Sequence, residues 1–419
     1  MEAIEAGPVR LSRNRNYNIL WSSLLLSELN TALVAVAFPL LVLATTGSAL
    51  QLSLVATVLA VAAMVATVPA GVAADRWNRK LVMLVCQSVR VLAAASLAVT
   101  LLLGVASFAQ LLAVAAVEGL AGAVFAPAED AALPQVVPAA QLSQAIARNT
   151  SRPYLANLAG PALAGLAFGV DPALPFALTA VLLAGSCLTL LFLVLPSRTA
   201  PAEEAGTGFG GDVGRGFRWV FGHRVIRTTL VWLVFNQLFF SALVIIVLFV
   251  SGEQDVAPGE TGVMMAFFGA GGILGAVCAS RLVERVPAAA IVLGFSFAVA
   301  GFTALMAFVP AGWPLGLVLA ATAFFAPPAV TTVMTYQMVV TPDELRGRLS
   351  GIVGLCAEGA GALGPLAGGL LLVLLGGGGR TELLVCAASL AVVALGSLAS
   401  PALRRFPSVR EPEQAPEQA

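Results

Sequence analysis

The chain has 419 residues, of which 59% are hydrophobic and 11% charged, with a mean hydropathy of +0.95. Soluble domains carry about 25% charged residues, so this composition belongs to an integral membrane protein. The formal net charge of zero argues against nucleic acid as a partner.

Arg10, Arg13 and Arg15 precede the first apolar run and look superficially like the basic end of a secretory signal. The run is too long for that, contains Glu28 and leads into a stop-transfer pattern, so it reads as a retained first helix. Crossing a bilayer takes about 20 mainly apolar residues. Such runs fall near 17–44, 50–74, 81–104, 108–127, 142–169 and 174–195, then near 228–251, 262–283, 287–309, 313–339, 349–375 and 382–400. None alternates like a strand, so twelve helices rather than a barrel are expected.

Charge asymmetry orients them. All but four of the 22 lysines and arginines (Arg90, Arg148, Arg152 and Arg380) fall in the N-terminal segment, the even-to-odd loops, the central connection or the tail. The positive-inside rule then places both termini in the cytoplasm of a plasma (inner) membrane protein. The loop near 252–260 carries Glu253, Asp255 and Glu260 without a base, as an outer loop would.

The connection between helices two and three is the most charged turn, Gly71 to Lys80 (GVAADRWNRK). It reads as a tight hydrophilic turn, with Gly71 allowing a neighbouring helix to approach. The polar stretch 196–227 divides the spans into two halves, 1–195 and 228–400, followed by a tail at 401–419 read as disordered. Within the connection, GTGFGG at 206–211 has no preceding strand and no following Lys-Ser/Thr, so it is a flexible linker. Asp212 to Phe221 suggests a short helix on the inner membrane surface.

The halves repeat. Ala156 to Gly165 (ANLAGPALAG) in helix five matches Ala360 to Gly369 (AGALGPLAGG) in helix eleven. Gly160–Pro161 corresponds to Gly364–Pro365, and Pro138 to Pro342. The second copy of the charged turn, Ala276 to Arg285, has Ser280 where Asp75 stands. The glycines permit close helix packing and the prolines permit bends.

On these residues the chain resembles the major facilitator superfamily over essentially its whole length. Gly71, Asp75, Arg76, Arg79 and Lys80 are similar to that family's loop motif, with Asn78 replacing the usual glycine. The Gly-Pro pattern of helix five is similar to the antiporter signature of its exporters, with Ala156 and Ala164 in place of two glycines. Phe125-Ala-Pro127, Leu133-Pro-x-Val-Val-Pro138 and Thr341-Pro-Asp-Glu-Leu-Arg-Gly-Arg348 resemble the macrolide and siderophore exporter branch. The resemblance implies an all-α fold of two six-helix bundles rocking about a central site lined by helices one, four, seven and ten. It also implies that Asp75 acts as a latch near the start of helix eleven, where a helix dipole would stabilise its carboxylate. One departure stands out. The exporters' usual arginine in helix four is here Glu118, ahead of Gly122, so that arginine's role does not carry over.

Five ionisable residues sit deep in the spans: Glu28, Arg90, Glu118, Arg152 and Glu358. Near the midplane a charge costs about 2.5–3.5 kcal/mol or more. Arg90 and Glu118 share a depth on consecutive helices and either pair structurally or act separately. Arg152 can neutralise another acid of the first half. Three acids against two bases leave one carboxylate without a matched base, free to bind and release a proton. Glu28 is the first choice of proton carrier, Glu118 the second, and Glu358 a coupling or packing residue.

Asn30, Thr31 and Phe38 on helix one, Asn236, Gln237, Phe235 and Phe239 on helix seven, and Tyr336 and Gln337 with Phe324 and Phe325 on helix ten are the candidate cavity lining. Few polar anchors on an apolar surface suit a bulky amphipathic ligand. For any single Phe, lipid-facing or interhelical packing is the plainer reading. Five cysteines, Cys86, Cys187, Cys278, Cys356 and Cys386, lie in apolar runs without metal spacing, and the single His223 stands in a polar connection. No cofactor or metal is expected, and no nucleophile–base set marks an enzyme. The reading is a monomeric, proton-coupled exporter of an antibiotic, siderophore or other natural product. A nutrient symporter or uniporter and a non-transporting receptor or scaffold are the alternatives.

Overall fold

The computed structural model describes residues 11–138, 141–149, 152–195, 218–404 and 406, and all its regular elements among these residues are helical. In chain order they are α1 (Arg15–Thr46), α2 (Ala49–Arg76), α3 (Arg79–Leu102), α4 (Phe108–Val136), α5 (Leu142–Asn149), α6 (Arg152–Val170) and α7 (Leu174–Leu191). There follow α8 (218–222), α9 (Arg224–Glu253), α10 (Pro258–Arg285), α11 (Ala288–Met306), α12 (Trp313–Val340), α13 (Asp343–Leu375), α14 (Arg380–Ala399) and α15 (Pro401–Arg404). Twelve of them are long and apolar enough to cross a membrane. Their outer faces leave Leu92 69%, Val181 66% and Val392 69% exposed. Surfaces of that kind persist only where lipid is the solvent.

Contacts divide the chain into two units, Met1–Ala205 with Ala257–Ala266, and Gly206–Val256 with Phe267–Ala419. In the first, α1 packs on α6 and α7, α2 on α4, and α3 on α4 and α7. In the second, α9 packs on α13 and α14, and α11 on α12 and α14. The repeated glycines are where the backbones meet. A methyl on Gly160 would fall 2.6 Å from Ala32 Cβ, and one on Gly364 would strike Ser241 Cβ. The repeat therefore encodes one contact twice, helix five on helix one and helix eleven on helix seven. Gly165 meets the backbone of Gly262 inside the first unit, which gives that unit the segment 257–266.

Several boundaries differ from those expected. The charged stretch is not a turn throughout: α2 stays helical to Arg76, and only Trp77 and Asn78 lie between α2 and α3. Asn78 caps α3 by accepting from Leu81 N at 3.3 Å. Arg79 Nη1 donates to Ala131 O at 2.6 Å, and Lys80 Nζ donates to Leu191 O and Leu193 O at 2.8 and 2.7 Å. These cations tie α3 to α4 and to the carbonyl end of α7. The side chains of Gly71, Asp75 and Arg76 lie outside the described residues, as does most of the 196–227 connection.

Pro127 does not end α4, which continues through Pro127 and Pro134 to Val136. Within the expected span 142–169 the described residues are helical at 142–149 (α5) and from 152 onward (α6). The tail reading is corrected at its start. Pro401–Arg404 is helical, Leu403 is buried, and Phe406 lies 4.8 Å from the Tyr336 ring, because these apolar side chains have a place to pack.

Candidate functional site

Two ionic clusters form in the first unit. In the closed cluster Arg90 Nε donates to Glu118 Oε2 at 2.9 Å, with both side chains under 5% exposed. Arg90 Nη1 donates to Ser27 Oγ at 2.9 Å and to Gln87 Oε1 at 3.1 Å. Asn30 Nδ2 donates to the same Glu118 oxygen at 3.2 Å. Gln87 Nε2 donates to Ser186 Oγ at 2.8 Å, and that hydroxyl stands 2.7 Å from Ser23 Oγ. Four helices, α1, α3, α4 and α7, thus meet at one charge pair. A pair dressed with neutral donors and acceptors is a brace: breaking it strands a buried charge, at a cost of about 3–5 kcal/mol. The geometry favours the structural reading of Arg90 and Glu118, and it uses Asn30 as part of the brace.

The second cluster is looser. Arg152 Nε lies 3.7 Å from Glu28 Oε1, and Arg152 Nη1 lies 3.5 Å from Glu129 Oε1. The Arg152 and Glu129 side chains are 5% and 2% exposed, whereas Glu28 is 27% exposed. Arg152 Nε and Nη1 make no hydrogen bond at these distances. One guanidinium is therefore shared by two carboxylates, one sealed and one open. Three elements place them: α1 carries Glu28, α4 continues past Pro127 to reach Glu129, and α6 carries Arg152 as the first of its described residues.

Glu129 was missed by sequence reasoning because it lies beyond the apolar run 108–127 and so outside the span that hydropathy marks. The pair Glu129–Asp130, directly followed by an apolar stretch, was the available signal. Glu382 was missed too. It is fully buried at the start of α14, with neither carboxylate oxygen hydrogen-bonded.

The second unit answers with neutral chemistry. Trp232 Nε1 donates to Ser296 Oγ at 2.8 Å, and Gln337 Nε2 to Thr229 Oγ1 at 2.9 Å. Glu358 is exposed on α13, and the exposed Gln237 lies beside Gly361, one turn further along. An exposed carboxylate within a span faces a bundle interior or a water-filled cavity by default.

The expected cavity residues divide. Thr31 is exposed one turn from Glu28, and its hydroxyl donates to Ser27 O at 3.1 Å. Asn236 Nδ2 donates to Trp232 O at 2.8 Å within its own helix. Phe239 lies 6.4 Å from Phe235, on the α14 side of α9. Phe38, Tyr336 and Gln337 are engaged in packing in this structure. Phe38 is buried with its ring 5.5 Å from Phe176, Tyr336 is covered by Phe406, and Gln337 is spent on Thr229. Pro161 and Pro365 stand inside α6 and α13 beside the glycine contacts.

Comparison with known proteins gives one consistent picture. A family model described as Major Facilitator Superfamily matches residues 20–365 and 229–419. The "Multidrug efflux pump Tap" of Mycobacterium tuberculosis (strain ATCC 25618 / H37Rv) is 30% identical over 406 residues, covering 91% of each chain. The pump of the same name from Mycolicibacterium fortuitum is 31% identical over 355 residues, covering 80% of this chain and 83% of its own. Among solved structures, nucleoside transporter NupG superposes with a TM-score of 0.73 at 14% identity, covering 92% of this chain and 98% of that one. The D-xylose-proton symporter superposes with a TM-score of 0.69 at 12% identity, covering 91% and 96%.

Proposed function

Since the chain belongs to the major facilitator superfamily, we propose that it is a proton-coupled antiporter exporting a hydrophobic or amphipathic small molecule. The observation that carries this reading is Arg152 held between a sealed Glu129 and a half-open Glu28. The efflux-pump names of the relatives support the outward direction.

The arrangement suits proton exchange for a specific reason. With both acids ionised, Arg152 and its two carboxylates carry one net negative charge, with Asp130 as a further acid beside them, and a proton on one carboxylate reduces that excess. When Glu28 takes that proton, Arg152 keeps Glu129 as its counter-ion, so no buried cation is stranded. Glu28 is the more exposed of the two acids, so it is the carrier, and Glu129 is the fixed partner. Glu28 is protonated from outside as substrate leaves and releases the proton inside as the next molecule binds. Arg90 and Glu118 brace the unit that carries this exchange. Each unit offers its own polar groups to substrate, Thr31 in the first and Gln237 with Glu358 in the second, and the apolar helix faces offer the rest. Both termini lie in the cytoplasm, following the distribution of lysine and arginine, and the working unit is a monomer.

Proteoliposomes loaded with a fluorescent amphipathic dye test this. An imposed pH gradient is expected to drive dye efflux by the wild type and to lose its effect in Glu28→Gln. Gradient-driven efflux that survives Glu28→Gln overturns the assignment, and gradient-driven accumulation in the opposite direction makes the protein a symporter.

A further inference from the structure

We infer that the second unit carries a binding site for an anionic phospholipid in the groove between α9 and α14. The groove encloses about 500 Å³ and is lined by residues of this unit alone, among them Thr228, Val231, Phe235, Phe239, Val392 and Ser397. Its walls are mainly apolar and open outward: Val231, Phe235 and Val392 are 47%, 43% and 69% exposed. Both bounding helices are membrane-crossing by length and composition, so the medium that reaches the groove is the bilayer.

The charge at one end selects among lipids. Arg224 and Arg227 stand one helical turn before the lining residues Thr228 and Val231, on the same faces of α9. Both are exposed, as is Arg404, which follows the lining residue Leu403 on α15. α15 packs against both α9 and α14, which brings Arg404 to the same end. His223 caps the first turn of α9 by accepting from Ile226 N, and the helix dipole at that end favours a phosphate. Among the described residues no carboxylate lines the groove. An acyl chain between Phe235 and Val392, with its phosphate among Arg224, Arg227 and Arg404, satisfies both parts of this surface. A zwitterionic lipid fills the groove equally well but leaves the three cations without a net opposing charge.

Basic side chains at a membrane surface each favour an anionic lipid by roughly five-fold. The three together are expected to confer a preference on the order of a hundred-fold. The test is native mass spectrometry and thermal unfolding of the purified protein in neutral detergent. Chain-matched phosphatidylglycerol and phosphatidylcholine are the two probes. The wild type is expected to retain and be stabilised by phosphatidylglycerol preferentially, and the triple variant Arg224→Gln/Arg227→Gln/Arg404→Gln to lose that preference. These positions are exposed, so unchanged circular dichroism is expected to accompany the loss. Gly396→Leu is the second variant: nothing lies within 4 Å of a Cβ there, so its side chain enters the groove without strain and is expected to exclude the lipid. Equal retention of the two lipids by the wild type, or a preference that survives the triple variant, overturns the proposal. So does a Gly396→Leu protein that keeps its lipid preference and loses dye efflux, which assigns the groove to the transported molecule.

Discussion

The two units share one helix-packing plan and differ in what they bury. Gly160 brings α6 onto Ala32 of α1, and Gly364 brings α13 onto Ser241 of α9. Four residues before those contacts stand Glu28 in the first unit and Gln237 in the second. In the aligned repeat, the position of Arg152 is held by Cys356. The first unit thus places an acid and a base where the second places an amide and a thiol. The first unit has the ion pairs Arg90–Glu118, Arg152–Glu28 and Arg152–Glu129, and the second has the neutral bonds Trp232–Ser296 and Gln337–Thr229. A duplicated scaffold does not duplicate its chemistry: ionic exchange is concentrated in one unit while the other presents amides, aromatics and apolar surface.

The largest expected effect is at the brace. Arg90→Leu strands Glu118 and should destabilise the protein by about 3–5 kcal/mol. The double variant Arg90→Leu/Glu118→Leu, which removes both charges, should recover most of that loss. Thermal unfolding in detergent checks both, and a double variant no better than the single one would mean that the pair is not the stabilising unit.

Next come the paired glycines. Gly160→Leu and Gly364→Leu each force a side chain into a neighbouring backbone and should cost about 1–3 kcal/mol. Similar losses from the two substitutions would establish the shared plan energetically, whereas loss at only one would break the equivalence. Glu382 gives the opposite sign. Its buried carboxylate has no hydrogen-bond partner, so Glu382→Leu should raise stability by about 1–3 kcal/mol, and a drop would reveal an uncounted partner. The smallest effect is in the neutral network, where Trp232→Phe removes the bond to Ser296 and should cost about 1 kcal/mol.

Much of this was legible in the sequence. The twelve spans, the repeat and the Arg90–Glu118 pair follow from hydropathy, spacing and the cost of lone intramembrane charges. Glu129 was not legible, because it lies beyond the apolar run 108–127. Proline is a breaker in water but is tolerated within a membrane helix whose neighbours satisfy the freed carbonyls. That tolerance let α4 continue and carried Glu129 to Arg152. The cavity residues were harder still. Phe38, Tyr336 and Gln337 have the composition of a binding surface, yet which face of a helix they occupy depends on rotations that an all-round apolar helix does not encode. Tyr336 also depends on Phe406, in a tail whose composition suggested disorder.

The central claim is that Glu28 and Glu129 share Arg152 and that Glu28 carries the exchanged proton while Glu129 stays the counter-ion. Infrared difference spectroscopy of the protein in lipid, stepped between acid and neutral pH, reads carboxylic acid protons directly and needs no substrate. The account predicts that subtracting the Glu28→Gln spectrum from that of the wild type leaves one titrating carboxylic C=O band above the background of the other acids, and that this band persists in Glu118→Gln. A Glu28→Gln spectrum identical to the wild type's, or loss of the band in Glu118→Gln, would contradict it.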